Sequence, residues 1–312
     1  MSHIPVLLNE VIKFLDPQPG DTILDSTIDG GGHAAEILKR ILPDGKLIGI
    51  DQDKQLLDDL SSKFKVQNSK LEKNLILING NFRDIEKLLE PLKIKLLDGA
   101  LYDLGMSSLQ LEESGRGFSF LKNEPLLMTY KFPVEPGDLT AEKILNSWPE
   151  KDIAEILFKY GEERFSRRIA RNIVKTREKK RFKTTFDLRE TIKRSVPYRP
   201  WHHIDPATKT FQALRIAVND ELKAFSESLE KIWRYFVPGS RLVIISFHSL
   251  EDRIAKNFLR DKERDGEAKI KTPKPVIVSE IELSLNPRSR SAKLRAAIKI
   301  FPPCGIPPTF KI

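Results

Sequence analysis

The feature that most restricts this chain is a rhythm in its first third, where short apolar runs rich in Ile and Leu alternate with helical repeats. Runs over 21–26, 46–50, 74–78 and 99–102 read as four strands. After the first, Ala34, Ile37, Leu38 and Ile41 recur at helical spacing. Strand, helix, strand at this spacing predicts the α/β class, a Rossmann-like parallel sheet with helices on both faces. Ligands of such sheets bind beyond the C-terminal ends of the strands, so the residues that end each run are where function is sought.

After Asp103 the rhythm changes. Residues 104–138 are irregular and rich in Gly, Ser and Pro, and 140–195 are helical in pattern. Val196-Pro-Tyr-Arg-Pro200 breaks that pattern. A long helix is expected over 210–236, with Leu214, Ala217, Val218 and Leu222 on one stripe, stopped by Pro238-Gly239. Residues 241–247 read as a fifth, buried strand and 251–259 as a helix. Stretches 275–279 and 295–300 read as two last strands around a basic loop, 288–293. The expected architecture is one sheet domain, 1–110 and 206–312, interrupted by a helical insertion, 111–205.

The net charge of +9 over 312 residues is concentrated. Between positions 159 and 199 stand fifteen Lys/Arg against five Asp/Glu, and the remainder is close to neutral. A local excess of this kind predicts a phosphate-bearing partner on the insertion, the alternative being a solvated helical face. The longest apolar runs are strand-sized, far short of a membrane span. Residues 1–9 lack the pattern of a secretory signal, and the one cysteine, Cys304, has no partner for a disulfide or zinc site. These features predict a cytoplasmic enzyme without membrane attachment or metal. They leave the oligomeric state, monomer or homodimer, open.

The first strand runs into Asp25-Ser-Thr-Ile-Asp-Gly-Gly-Gly-His33. Glycines let the backbone turn sharply near a ligand, and the helix that starts there offers free N–H groups. The second strand ends at Asp51, about 20 residues on, where an acid suits the hydroxyls of a ribose. Gly30-x-Gly32-x-x-Ala35 matches the dinucleotide fingerprint as well, so these features alone admit NAD or S-adenosylmethionine equally.

Nine segments, in order, resemble the RsmH (MraW) family of small-subunit rRNA cytidine N4-methyltransferases. They are His3-Ile-Pro-Val-Leu-Leu-Asn-Glu10, the Gly30–His33 turn, Gly49-Ile-Asp-Gln-Asp53 and Asp103-Leu-Gly-Met-Ser-Ser-Leu-Gln110. Arg116-Gly-Phe-Ser-Phe120, Tyr160-Gly-Glu-Glu-Arg-Phe165 and Pro206-Ala-Thr-Lys-Thr-Phe-Gln-Ala-Leu-Arg-Ile216 follow. The last two are Ile245-Ser-Phe-His-Ser-Leu-Glu-Asp-Arg253 and Asn286-Pro-Arg-Ser-Arg290. The resemblance implies a class I methyltransferase fold with a helical insertion. It implies S-adenosyl-L-methionine as cofactor, and as substrate a cytidine of 16S rRNA near the decoding centre of the small ribosomal subunit. It also implies cofactor contacts at Gly31, Gly32, His33, Asp51, Phe82, Asp103 and Gln110. Taken alone, His33 reads as a helix-start residue, and Phe82 as either an adenine cover or core. Asp103, an acid at a strand end, is hard to explain as structure.

Methyl transfer to an exocyclic amine needs positioning and an acceptor for one N–H proton. Candidates are Asp103, the hydroxyls of Ser107 and Ser108, and the carbonyls of Leu104 or Gly105. The Asn/Asp-Pro-Pro-aromatic loop of other amino-methyltransferases is absent, and Asp103-Leu-Gly-Met occupies its place. His248 either contacts base or phosphate, or packs while Ser249 caps a helix with Asp252 as acidic partner. Arg164, Arg167, Arg168 and Arg171 fall at helical spacing as one basic stripe, and Arg288, Arg290 and Lys293 form a second patch. Arg116 and Phe118 pair a cation with a ring, for base stacking or for the core.

Two positions depart from the family pattern. Asp29 stands where glycine is usual. In Leu126-Leu-Met-Thr-Tyr130, Leu127 replaces an acid and Thr129 an arginine. These departures keep open a non-catalytic rRNA-binding assembly factor on the same fold. An NAD-linked oxidoreductase would need His202 or His203 as its base.

Overall fold

The structure, a computed structural model, describes residues 5–67, 73–106, 108–197 and 205–301. Tyr198 to Pro200, His202, His203 and Cys304 therefore lie outside the described residues, as does Ser107. The elements, in chain order, are α1 (Leu8–Leu15), β1 (Thr22–Asp25), α2 (Gly32–Ile41), β2 (Lys46–Asp51), α3 (Lys54–Gln67), β3 (Leu75–Asn79), α4 (Ile85–Leu89) and β4 (Leu97–Asp103). Next come α5 (Ser108–Glu112), α6 (Ala141–Ser147), α7 (Glu150–Gly161), α8 (Ser166–Arg177), α9 (Thr185–Ser195), α10 (Ala207–Asn219) and α11 (Glu221–Tyr235). The chain continues with β5 (Phe236–Ser246), α12 (Ser249–Arg264), β6 (Ala268–Ile270), β7 (Val276–Ile277), α13 (Glu280–Leu285) and β8 (Lys293–Lys299).

The strands form one sheet in the order β3-β2-β1-β4-β5-β8-β6, with β7 also paired to β8. The first five run parallel, and β6, β7 and β8 join antiparallel. Alternation along each strand divides its side chains between two cores. Ile23, Leu47, Leu101 and Val243 face α1, α2 and α3. Leu24, Ile48, Ala100, Tyr102, Leu242 and Ile244 face α4, α11 and α12. A one-residue slip would exchange the two sets, which is why the register is firmly specified. The α/β sheet expected from the sequence is present, and both of the last strands form. Three residues of β6 were not foreseen, and α13 with a short 3-10 helix, Pro287–Ser291, replaces the simple basic loop.

Two compact units divide the chain, Met1–Gly105 with Leu222–Ile312, and Met106–Glu221. The second unit is longer than the expected insertion, because α10 belongs to it. The expected long helix is two helices, parted at Asp220, whose φ of +48° ends α10 in a left-handed cap. Phe211 and Leu214 of α10 are buried with Ile156, Leu157, Ile169 and Leu188 in the second unit's own core. Phe225, Leu229 and Ile232 of α11 pack on the sheet.

Arg116 and Phe118 prove structural. Arg116 is 4% exposed and donates to the carbonyls of Thr129 and Tyr130 at 3.3 and 3.0 Å. Its guanidinium lies over the rings of Phe118 and Phe132, and Phe118 is buried and stacked on Tyr130. The departures at Leu127 and Thr129 fall in this same segment. Thr129 is buried and Leu127 half-buried, and the Leu127 carbonyl accepts from Ala141 N at 3.1 Å.

Removing the Arg116 side chain strands two buried carbonyls, a cost of about 2–3 kcal/mol. Arg116→Ala should lower the Tm by roughly 3–5 °C in a thermal melt. An unchanged Tm would contradict the structural role and leave Arg116 available to RNA.

Candidate active site

Three neighbouring parallel strands each end in an aspartate: β2 at Asp51, β1 at Asp25 and β4 at Asp103. Asp25 pairs with Gly49 on one side and Leu101 on the other, so Asp51 and Asp103 stand two residues further along and flank the chain as it leaves β1. That turn is stitched to both neighbours. Ser26 N donates to Leu101 O at 2.9 Å, Ile28 N to Ile50 O at 3.1 Å, and Asp103 N to Thr27 Oγ1 at 2.7 Å.

The turn reaches α2 through Gly31, whose φ of +76° suits glycine and whose added Cβ would lie 2.5 Å from Leu60 Cδ1. Gly31 caps α2, and Gly32 and His33 open its first turn. His33 is buried, with Nε2 2.9 Å from the Val6 carbonyl. A carbonyl only accepts, so Nε2 carries a proton. Nδ1 stands 3.5 Å from Asp103 Oδ2, where it receives the acid's proton or, as imidazolium, pairs with the carboxylate. Nothing in the local sequence pattern links His33 with Val6 or Asp103.

These carboxyls are held far from their ordinary state. Burial pushes Asp25 up to about 7, with Asp29 and Asp51 adding repulsion. Burial likewise raises Asp51 to about 7, against a 2.8 Å hydrogen bond from Asp53 N, with Asp29 and Asp53 opposing its charge. Asp103 is driven well above the carboxylate range by burial, then by Asp29, Asp25 and Glu251. Its Oδ1 is buried and has no hydrogen-bond partner among the described residues. Phe82, in a 3-10 turn after β3, is half-buried and meets Tyr102 edge-on at 5.7 Å.

His248 does not take the role expected of a helix-packing residue beside a Ser249 cap. It is itself the N-cap of α12: Nδ1 accepts from Glu251 N at 3.4 Å, and Glu251 Oε2 accepts from His248 N at 3.3 Å and Phe247 N at 2.8 Å. Asp252, expected in the cap, instead pairs with Arg295 at 2.7 and 3.2 Å. Glu251, 3% exposed, is a buried acid that sequence reasoning missed, and so is Asp25. Asp25 was legible in principle, since it ends its strand as Asp51 and Asp103 end theirs. Gln110 is buried in the second unit, and Ser108 opens α5 there.

The sequence matches the MraW methylase family over residues 1–300. The chain belongs to this family. A protein of Carboxydothermus hydrogenoformans named ribosomal RNA small subunit methyltransferase H is 42% identical over 96% of this chain and 98% of its own. Proteins of the same name from Heliobacterium mobile and Koribacter versatilis are 43% and 44% identical, again over 96% of this chain and over 99% and 94% of theirs. Membership in a methylase family closes the choice that the glycine turn left open, and the cofactor is S-adenosyl-L-methionine. The donor set fits it. A sulfonium and an ammonium are cations, and the strand ends offer crowded acids, with Asp103 Oδ1 lacking a hydrogen-bond partner among the described residues.

Carboxyls raised on folding contribute stability below their unfolded pKa and lose it as pH climbs through the folded value. For Asp51 that window runs from about pH 4 to about 7. Several surface carboxylates shift the opposite way, so the informative quantity is a difference. In melts of the ligand-free protein, Asp51→Asn should gain Tm relative to wild type as pH rises through that window. A pH-independent difference would contradict the raised value.

Proposed function

We propose that this protein uses S-adenosylmethionine to methylate N4 of a cytidine in 16S rRNA, and that Asp103 receives the proton the amine gives up. The observation that carries the reading is Asp103 itself, an acid at the C-terminal edge of the sheet whose side chain is 16% exposed and whose Oδ1 is shut from solvent with no hydrogen-bond partner among the described residues. When bound, S-adenosylmethionine supplies a methyl group already activated by its sulfonium. The chain's own task is then position and proton handling.

Asp51 would accept from the ribose hydroxyls, Phe82 would cover the adenine, and the first turn of α2, Gly32 and His33, would face the methionine portion. His33, oriented by Val6, holds Asp103 from one side. Asp103 can accept a proton only when ionised, and a cationic ligand beside it favours that form. Cytosine N4 is a weak nucleophile because its lone pair is delocalised, so an acceptor on one N–H sharpens it. The Leu104 and Gly105 carbonyls remain secondary acceptors. Gly105, at φ +105°, turns the chain beside Phe247 directly after the acid.

The second unit would grip the RNA, and a base turned out of its stack would cost a few kcal/mol that phosphate contacts offset. On α8, Arg167, Arg168 and Lys175 are exposed and enter no ion pair among the described residues. Arg171 reaches Glu150 only at 3.8 Å. Arg164 precedes the helix and lies over the Phe165 ring, so it departs from the expected stripe. Arg288 and Arg290 are exposed in the 3-10 helix, whereas Lys293 lies in β8, 3.9 Å from Asp252. No helix among the described residues is long and apolar enough to cross a membrane.

The test is transfer of labelled methyl from S-adenosylmethionine to small ribosomal subunits, followed by nucleoside analysis. N4-methylcytidine is the expected product. Binding without transfer would make the protein an assembly factor. Asp103→Ala should lower kcat by about 10²–10⁴ while leaving the Tm near wild type. Activity near wild type would remove Asp103 from the chemistry. Arg167→Glu with Arg168→Glu should weaken subunit binding about tenfold and flatten its salt dependence, by roughly 0.7–0.9 in log–log slope for each phosphate no longer neutralised. An unaltered slope would place the RNA elsewhere.

A further inference from the structure

Pro5, Val6 and Leu7 lie against the turn that opens α2. A Cβ added at Gly32 would fall 3.0 Å from Pro5 Cβ, so the two stretches of chain touch there. Val6 supplies the carbonyl that accepts from His33 Nε2 at 2.9 Å. Leu7 is buried, turns at φ +53° and becomes the N-cap of α1. Its own side chain makes no cap bond. Its backbone N–H donates instead to Glu282 Oε1 at 2.7 Å, a contact between residues 275 positions apart. Glu282 is half-buried in the first turn of α13, where its N–H donates to Ser279 Oγ at 3.1 Å. The helix is tied to the sheet on both sides. β7 before it pairs with β8, and the 3-10 helix after it, with Ser289 buried, leads into β8. All of these residues belong to the first compact unit.

The Val6 carbonyl and the Leu7 N–H are the two ends of one planar peptide unit and point opposite ways. An acceptor that holds the N–H therefore also sets the direction of the carbonyl. A carboxylate makes such a bond roughly twice as strong as a neutral acceptor does. The bonds then run in line, from Glu282 through one peptide unit to His33, whose Nδ1 stands 3.5 Å from Asp103 Oδ2. We propose that Glu282 is a positioning residue of the active site, fixing the ring of His33 through the Val6–Leu7 peptide and, through that ring, the carboxyl of Asp103. The consequence for turnover rests on the reading of Asp103 as proton acceptor. The hold on His33 does not.

Nitrogen-15 NMR of the full chain with labelled histidine tests this in wild type, Glu282→Ala and Glu282→Gln. His33 is picked out of the five histidines by the signal lost in His33→Gln. In wild type its proton sits on Nε2 and is held by Val6. In Glu282→Ala that proton should exchange with water about tenfold faster. The kcat for methyl transfer to small ribosomal subunits should fall about tenfold, with the KM for S-adenosylmethionine within about twofold of wild type. Glutamine keeps an acceptor oxygen at the same reach, so Glu282→Gln should restore both the slow exchange and most of kcat. A merely structural role would lower the Tm of the alanine variant and leave exchange and kcat at their wild-type values, which overturns the proposal. Failure of glutamine to rescue overturns it as well. Activity that survives Asp103→Ala defeats the reading of Asp103 and not the hold of Glu282 on His33, which the exchange rate reports without turnover.

Discussion

Carboxyls that cannot all ionise together govern this molecule. Adjacent parallel strands deliver Asp51, Asp25 and Asp103 to one edge of the sheet, and the turn between them adds Asp29. Burying an acid without a matching cation costs free energy, and the cost grows when like charges share the place. Nothing in the packing of the two hydrophobic layers requires it. The carboxyls instead serve the turns that follow the strands, Asp25 accepting from Thr27 N and Asp51 from Asp53 N.

The surrounding contacts make sense as ways of holding those acids in place. Gly31 admits a turn close against Leu60, and backbone bonds to Leu101 and Ile50 pin it between its neighbours. Val6 fixes the proton of His33 so that the other ring nitrogen faces Asp103. The capping pair of His248 and Glu251 sets a second buried acid near enough to raise Asp103 further. Each device is local and rigid, as a site that positions its ligands must be.

How much of this was legible beforehand follows from the range of each interaction. The sheet and its strand ends rest on periodicities of a few residues, so the sequence pattern located Asp51, Asp103 and the glycine turn directly. His33 was ambiguous because its meaning lies in Val6 and Asp103, 27 residues before it and far beyond it along the chain. The His248 cap was misassigned by one position, since histidine is an uncommon cap and Ser249 is an ordinary one. The break at Asp220 was missed because an apolar stripe runs through it, while a single left-handed residue redirects the chain. Arg116 and Phe118 looked like an RNA contact for a related reason. A cation beside a ring has the same sequence signature in a binding loop and in a core, and only the carbonyls of Thr129 and Tyr130 decide between them.

The central claim is that the strand-end acids form a pocket for a cation, and proton counting tests it most directly. S-adenosylmethionine should be titrated at pH 7 in buffers of differing ionisation enthalpy. A cation entering beside Asp25 and Asp51, whose pKa values stand at about 7, draws those values down, so the account predicts net release of protons to the buffer on binding. Binding heat that is independent of the buffer, or proton uptake, would contradict it.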